Sequence, residues 1–144
     1  MKIIIIGGVA AGAKSAAKTK RMLPDADVHI FTKDNYVSYS ACGMPYYIGG
    51  DFQDWKQLIV RSVDEFEKGG IHIHTRNLVT KILPADKKIM VKNLDTDEWQ
   101  FVEYDKLVIA TGAVPFMPEF ANIRSKRIYT LRTLDDGIAI RKRM

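Results

Sequence analysis

Near its start the chain has four consecutive isoleucines at residues 3–6, followed directly by two glycines. An unbroken run of β-branched residues that ends at glycine is typical of a central parallel strand buried on both faces. Small and basic residues at 11–23 predict a helix that lies close to a sheet. Alternating residues at 27–32 predict a second strand. The three elements form one βαβ unit of about 30 residues, the size of a mononucleotide-binding half.

The turn between the first strand and the helix has the glycine pattern of a dinucleotide-binding fingerprint, with valine at the middle glycine position. The first glycine permits a tight turn, and the last permits close packing of helix and strand. Free N–H groups at the start of the helix attract a pyrophosphate. The alternative is a plain glycine turn in a sheet that binds no ligand. The predicted phosphate-binding residues are Gly7, Gly8, Val9, Ala10, Ala11 and Gly12.

The second strand ends on a threonine, where the fingerprint normally has an acidic residue that holds a ribose. Thr32 stands at this position, and its hydroxyl is able to bond a ribose. Lys33 or Asp34 is an alternative contact. An ordinary threonine at the edge of a strand is the competing interpretation. We expect Thr32 and Lys33 to contact a nucleotide.

The rest of the chain predicts a return to the same sheet through a β-meander. A serine and a glutamate three residues apart form a capping box before a short helix, which two glycines end. Three alternating runs with short turn-rich spacers indicate antiparallel strands. The sequence therefore predicts an α/β fold with a parallel central sheet. The predicted elements are a helix at 63–68, a strand at 71–75, the meander at 78–83, 88–92 and 98–104, and a strand at 106–110.

Size and charge exclude several classes of protein. A chain of 144 residues has room for one domain and not for a two-domain enzyme. The net charge is +5, but no basic stripe interleaved with aromatic residues is present, which argues against nucleic-acid binding. The apolar run at the start is too short for a membrane or signal segment. One cysteine excludes an intrachain disulfide, and we expect a cytoplasmic location.

The segment at residues 38–49, S-Y-S-A-C-G-M-P-Y-Y-I-G, is the most specific in the chain. A lone cysteine before an apolar run is usually buried and inert. If Cys42 instead begins a short helix at 44–48, the helix dipole favours its thiolate and makes it a nucleophile. Pro45 suits the first turn of such a helix.

With this segment the sequence resembles the coenzyme A-disulfide reductase, NADH oxidase and NADH peroxidase branch of the flavin disulfide reductases. The cysteine motif, the loop G-G-V-A-A-G and the turn A-T-G-A-V-P occur in the family's order and spacing. The resemblance covers essentially the whole chain and implies a Rossmann-like FAD-binding domain. It also implies that NAD(P)H reduces FAD and that the flavin passes electrons to Cys42. This branch has one such cysteine, whereas other disulfide reductases have two.

The resemblance leaves the electron acceptor open between a small disulfide, such as coenzyme A disulfide, and peroxide or oxygen. Cys42 would cycle between thiol and mixed disulfide in the first case, and between thiol and sulfenic acid in the second. Basic residues on the first helix suit the phosphates of coenzyme A, although a solvated helix face is the alternative. Ala41 stands where coenzyme A-using members often have asparagine. The implied substrate contacts are Lys14, Lys18, Arg21, Ser38 and Arg61.

The strand at 106–110 runs into Thr-Gly-Ala, which resembles the family turn where the chain passes close to FAD. Glycine permits that approach, and Pro115 then directs the chain outward. A simple turn at the end of a strand is the alternative. The cofactor contacts implied for this later part of the chain are Val79, Thr111, Gly112 and Ala113.

The resemblance also implies how the chain is organised. Residues 1–118 would be the N-terminal portion of the FAD-binding domain, and residues 119–144 would cross into a nicotinamide-binding domain whose site lies outside this chain. Residues 137–144 would start a helix that has lost the domain to which it belongs. Full-length members of the family are homodimers. The alternative is a naturally short nucleotide-binding or interaction module in which Cys42 has no redox duty.

His72 and His74 are two residues apart in the predicted strand 71–75 and therefore point to the same face. This spacing suits a metal ion, but no cysteine or carboxylate cluster accompanies the two histidines in the sequence. We expect an exposed strand face and no metal site.

Overall fold

The computed structural model describes residues 1–119, 125 and 127–144. Four strands form a parallel sheet in the order β3-β2-β1-β7, and three form a separate antiparallel sheet in the order β4-β5-β6. The predicted α/β fold with its three-stranded meander is confirmed. The strands are β1 (Lys2–Ile6), β2 (Asp27–Phe31), β3 (Ile71–His74), β4 (Asn77–Leu83), β5 (Lys88–Asn93), β6 (Trp99–Glu103) and β7 (Lys106–Ile109). The helices are α1 (Ala10–Met22), α2 (Met44–Gly49), α3 (Val63–Lys68) and α4 (Leu134–Arg141).

The isoleucine run forms β1, which lies between β2 and β7. Successive side chains of a strand point to opposite faces, so the run serves two hydrophobic clusters. Ile3 and Ile5 pack with residues of α1, whereas Ile4 and Ile6 pack with residues of β5. A strand buried on both faces is the physical reason for an unbroken apolar run.

The two edges of the parallel sheet collect different loops. At the carboxyl edge Ile6 pairs with Phe31 and with Ile109, so the segments that follow β1, β2 and β7 meet there. In open parallel sheets this is the edge at which ligands bind. At the amino edge Lys2 pairs with Asp27, and the Lys2 backbone N–H donates to the carboxylate of Asp105 at 2.6 Å.

Helix α4 begins at Leu134, three residues before the predicted start at Gly137. The helix starts there because of an unpredicted capping box, in which Thr133 and Asp136 bond each other's backbone N–H. The helix packs on α2: Leu134 is buried there, and the guanidinium of Arg141 donates to the carbonyl oxygen of Ile48 at 3.0 Å. The helix thus has a packing partner within the chain, and its place in a further domain stays a prediction.

The predicted crossing segment, residues 119–144, is described only in part, since residues 120–124 and 126 lie outside the described residues. Among the helices that the structure describes, none combines the length and the apolar character needed to cross a membrane.

Candidate active site

The glycine loop after β1 is a cradle from which side chains are sterically excluded. Gly7 has a φ of +103°, and a Cβ there would overlap the carbonyl oxygen of Ala110. A Cβ on Gly12 would overlap the carbonyl oxygen of Gly7, because α1 lies directly against the end of β1. At Gly8 an added Cβ would lie 2.6 Å from the Val37 side chain. The three glycines therefore hold the loop in close contact with α1, with the segment that follows β7 and with the segment that follows β2.

The N-terminus of α1 opens this cradle and has no capping side chain. Its N-cap residue is Val9, whose side chain bonds no backbone N–H, and the first turn contains no acidic residue. The N-termini of α3 and α4 instead have complete capping boxes with acidic side chains. Uncapped N–H groups at a helix start, together with the positive end of the helix dipole, form an anion site.

A cavity of about 320 Å³ lies in front of this helix start. A second cavity of about 260 Å³ shares six lining residues with it, among them Gly7, Lys33 and Gly112. We call the two together the loop cleft. Of the predicted cofactor contacts, only Gly12 does not line it, because Gly12 is buried behind the loop. The contacts that line the cleft are Gly7, Gly8, Val9, Ala10, Ala11, Thr32, Lys33, Val79, Thr111, Gly112 and Ala113.

Thr32 lies at the end of β2 and is the buried polar residue of this region, with 3% of its surface exposed. Its hydroxyl accepts a hydrogen bond from the backbone N–H of Asp34 at 3.3 Å. Its own N–H donates to the carbonyl oxygen of His74 at 3.0 Å. Thr32 therefore fixes the path of the chain into Lys33 and Asp34, and these two side chains line both parts of the cleft.

Arg132 is a residue of the cleft that the sequence analysis missed. Its Nε donates to the carbonyl oxygen of Ala113 at 2.8 Å, and its guanidinium covers Gly112, which has a φ of +70°. The backbone N–H groups of Arg132 and Thr133 both donate to the carboxylate of Asp136. A permanent positive charge thus lines the same cavity as the α1 N-terminus. No local motif marks Arg132, because α4 and its cap place it there.

Cys42 is an exposed free thiol in the 3-10 turn Ala41–Gly43, directly before α2. The short helix predicted after the cysteine is therefore present. The preceding residue, Ala41, lines the loop cleft, whereas Cys42 itself is not among the lining residues. Ser40 fixes the turn, because its carbonyl oxygen accepts from the N–H of Gly43 at 3.1 Å. The thiol is therefore open to solvent and one residue away from the wall of the cleft.

A third cavity of about 480 Å³, which we call the basic groove, also reaches the α1 N-terminus at Val9 and Ala10. Three of the five predicted substrate contacts line it, namely Lys14, Ser38 and Arg61. Lys18 and Arg21 are exposed on α1 outside the groove. The guanidinium of Arg61 donates to the carbonyl oxygen of Glu65 at 3.0 Å and stacks on Phe66 at 4.5 Å, so its charge is held in position.

Tyr39 forms the wall between the loop cleft and the basic groove, since it lines both. It is 5% exposed, and burial raises the pKa of its phenol, with a further contribution from the charge of Asp34. Tyr39 packs in the same hydrophobic cluster as Leu134, the first residue of α4. The phenol is therefore neutral at ordinary pH, and the ring packs against the start of α4. Tyr39 is the second residue of the site that the sequence analysis missed.

Comparison with known proteins gives the family context. The family model of the pyridine nucleotide-disulphide oxidoreductases matches residues 1–144. The chain is 36% identical over 140 residues to a coenzyme A disulfide reductase of Staphylococcus haemolyticus, which covers 96% of this chain and 31% of that protein. It is 32% identical over 143 residues to an NADH oxidase of Methanocaldococcus jannaschii, which covers 99% of this chain and 32% of that protein. The chain thus spans about a third of the length of these relatives.

Among solved structures, the fold is similar to that of reduced CoADR-RHD from Bacillus anthracis, with a TM-score of 0.94 and 34% sequence identity. That match covers 98% of this chain and 26% of the other. The similarity extends over both sheets, so the meander and the parallel sheet belong to one shared architecture.

Proposed function

Because the chain belongs to the pyridine nucleotide-disulphide oxidoreductase family, we propose that its loop cleft holds FAD and that Cys42 is the redox-active sulfur of an NAD(P)H-dependent reductase of small disulfides. This family consists of oxidoreductases that use FAD and a nicotinamide nucleotide. One observation carries the proposal. The uncapped start of α1 opens on a cleft that is also lined by Ala41, and Ala41 directly precedes the exposed thiol of Cys42.

The residues present fit a dinucleotide. The N–H groups of Ala10 and Ala11 would bond the pyrophosphate, since no side chain caps them. Lys33 and Arg132 add positive charge to the walls of the same cleft. Thr32, Lys33 and Asp34 surround the part of the cleft that would receive the adenosine ribose, in place of the usual acidic contact.

The proposed chemistry of Cys42 is thiol–disulfide exchange. Its thiolate attacks one sulfur of the substrate disulfide, so that a Cys42–S–S–R bond forms and one thiolate, RS⁻, leaves. When bound, FAD supplies two electrons taken from NAD(P)H. With those two electrons the mixed disulfide breaks, the second RS⁻ is released, and Cys42 returns to its thiolate. No second cysteine is needed, and the chain has only this one.

The basic groove suits an anionic disulfide such as coenzyme A disulfide. Lys14 and the fixed guanidinium of Arg61 would bind its phosphates, with Ser38 as a polar contact between them. Lys18 and Arg21 continue the positive charge along α1 and would attract the same substrate from outside the groove. The groove meets the loop cleft at Val9, Ala10 and Tyr39, which places the two sites side by side.

The acceptor is tested with Cys42→Ser in the full-length protein, assayed in parallel with coenzyme A disulfide, peroxide and oxygen. We expect loss of disulfide reduction by a factor of about a thousand or more, because the hydroxyl is not a nucleophile toward disulfides. Retained disulfide reduction would contradict a redox duty for Cys42. Loss of peroxide or oxygen reduction alone would instead identify a sulfenic-acid cycle as the reaction of this thiol.

FAD binding is tested with Ala11→Asp and its uncharged control Ala11→Asn. Ala11 is exposed in the first turn of α1, where a carboxylate favours the helix. The same carboxylate would occupy the phosphate site, so we expect FAD affinity to fall at least about tenfold more than in the control. The affinity is measured by titration, from the change in FAD absorption on binding. Equal affinity in the two variants would place the pyrophosphate elsewhere.

The substrate groove is tested with Lys14→Gln and Lys18→Gln, two identical charge changes one helical turn apart. We expect the first to raise the KM for coenzyme A disulfide about tenfold, and the second to change it less, because only Lys14 lines the groove. Equal increases in KM would indicate long-range electrostatic attraction by α1 rather than a direct contact between Lys14 and a phosphate.

A further inference from the structure

The three histidines of the chain, His29, His72 and His74, lie together on one face of the parallel sheet. β2 and β3 are paired so that His29 stands beside His72, and Phe31 stands beside His74. His72 and His74 point to one face, as the sequence predicts, and His72 is exposed there as expected, whereas His74 is not. The ring of His74 is half-buried and stacks on Phe31 at 4.2 Å.

The carboxylate nearest to these imidazoles on β2 belongs to Asp27, at the start of that strand. Its Oδ1 lies 2.8 Å from Nε2 of His29 and 3.7 Å from Nε2 of His72. The three ligand atoms are all within 4.8 Å of one another. Two imidazole nitrogens and one carboxylate oxygen thus converge on one point at the amino edge of the sheet.

Each of these imidazoles is also held from behind through its other nitrogen. Nδ1 of His29 is 3.0 Å from Nε2 of His74, and Nδ1 of His72 is 3.4 Å from Oε2 of Glu67. The Glu67 carboxylate is fixed in turn, because its Oε1 accepts from the backbone N–H of Ile73 at 2.8 Å. Partners of this kind set the tautomer and the orientation of histidines that bind metals.

We propose that Asp27, His29 and His72 form a binding site for a divalent transition-metal ion of the zinc class. Ligand atoms at 2.0–2.1 Å around a tetrahedral zinc ion are about 3.3–3.4 Å apart. The observed separations from Asp27 are 2.8 and 3.7 Å, and all three ligand atoms lie within 4.8 Å of one another, so side-chain rotation would bring the three atoms to this spacing around the ion. Imidazole with one carboxylate suits zinc, whereas magnesium and calcium prefer oxygen ligands alone. A water molecule would complete the coordination.

The proposed ion would join two neighbouring strands. β3 is the edge strand of the parallel sheet, and two of the ligands belong to β2 while the third belongs to β3. An ion that binds only the folded state would therefore stabilise the pairing of β3 with β2. Lys2 opposes the ion, since its positive charge already acts on Asp27, but Asp27 and Glu67 together supply two negative charges.

The experiment measures Zn²⁺ binding to the full chain by calorimetry, in a Cys42→Ser background that removes thiolate binding. Co²⁺ replaces Zn²⁺ in a second measurement, because tetrahedral Co²⁺ absorbs visible light strongly enough to report its geometry. We expect one equivalent of metal and a tetrahedral Co²⁺ spectrum. Absence of binding at millimolar Zn²⁺, or a Co²⁺ spectrum typical of an octahedral aqua ion, would overturn the proposal.

Three variants locate the ion. Asp27→Asn and His72→Gln each remove one ligand, and we expect each to weaken Zn²⁺ binding by a factor of about a hundred or more. Glu67→Gln keeps an acceptor for Ile73 but turns an amide N–H₂ toward His72, and we expect a loss of about tenfold to a hundredfold. Asp25→Asn is the matched control, since Asp25 is exposed in the turn before β2 and belongs to no ligand set in the described structure. Equal binding by Asp27→Asn and Asp25→Asn would show an adventitious ion only.

Discussion

The two edges of the parallel sheet form sites in opposite ways. At the carboxyl edge the loop cleft is made by backbone: glycines bring three segments together, and free N–H groups face the cavity. At the amino edge the histidine cluster is made by side chains, and the backbone around Asp27, His29 and His72 is ordinary paired strand. The first site is therefore destroyed by adding atoms and the second by removing them. Substitutions at each edge test this difference.

The largest effect is expected at Gly12. Gly12→Ala places a methyl group against the carbonyl oxygen of Gly7, and both α1 and β1 must move apart to accept it. We expect the free energy of unfolding to fall by about 3 kcal/mol, the upper range for an overpacked site, and FAD binding to be lost. Urea unfolding followed by circular dichroism measures the first quantity.

Gly49→Ala is the matched control for Gly12→Ala. Gly49 ends α2, and an added Cβ there meets no atom within 4 Å. Alanine is a better helix former than glycine, so we expect the free energy of unfolding to stay unchanged or to rise by up to about 1 kcal/mol. If both variants lose the same stability, the cradle is not the reason for the loss at Gly12.

The next largest effect is expected at the histidine cluster of the amino edge, where removal of a side chain, rather than its addition, destroys the site. With Zn²⁺ at about one hundred times its Kd, we expect the free energy of unfolding to rise by about 2.7 kcal/mol. His72→Gln should abolish this increase while leaving the metal-free stability nearly unchanged, because His72 is exposed. Thermal unfolding with Zn²⁺ and with a chelator measures both. If Zn²⁺ stabilises His72→Gln as much as the wild type, the His72 side chain does not form the site, and the proposed contrast between the two edges is wrong.

A smaller effect is expected at Thr32, a residue of the carboxyl edge where a side chain, rather than backbone, makes the hydrogen bond. Thr32→Val keeps the volume but removes the hydroxyl that accepts from the N–H of Asp34. We expect the free energy of unfolding to fall by about 1 kcal/mol. The control Thr80→Val removes an exposed hydroxyl, which donates to the carbonyl oxygen of Met90, and should change stability by less than about 0.5 kcal/mol. Equal losses would mean that burial of Thr32 contributes nothing.

The same contrast explains which parts of the molecule could be predicted from sequence. The strand at β1, the glycine loop and the capping box of α3 are local patterns, and each was found at its position. The contacts at 111–113 were implied by the family resemblance, and the shared carboxyl edge of the parallel strands is the physical reason that they meet the glycine loop. Arg132 and Tyr39 were missed, because only the docking of α4 brings Arg132 to Gly112 and Leu134 to Tyr39.

The histidine cluster shows the limit of local reasoning most clearly. His29 and His72 are far apart in the sequence, and they become neighbours only through the register in which β2 pairs with β3. A shift of that register by one residue would turn one of the rings to the other face of the sheet. The spacing of His72 and His74 was visible in the sequence, but the carboxylate and the third imidazole belong to another strand.

The smallest effect is expected in α3, which links the two edges: Glu65 lines the basic groove and Glu67 contacts His72. The carboxylate of Glu65 accepts from the backbone N–H and the hydroxyl of Ser62, and the backbone bond is the main reason that its pKa is lowered. A lowered pKa in the folded state means that ionised Glu65 favours folding. This contribution is complete above the unfolded-state pKa of about 4.3 and is lost as the pH falls through the lower folded-state value.

Glu65→Gln should therefore be less stable than the wild type at pH 7, and the difference should shrink as the pH is lowered below about 4.3. Urea midpoints of the two proteins between pH 7 and pH 3 measure this difference. Glu103→Gln, which removes an exposed carboxylate paired with Lys88, is the control for a general change of surface charge. If the difference for Glu65→Gln is independent of pH, the cap acts as a neutral hydrogen bond, and the charge of the Glu65 carboxylate contributes nothing to stability.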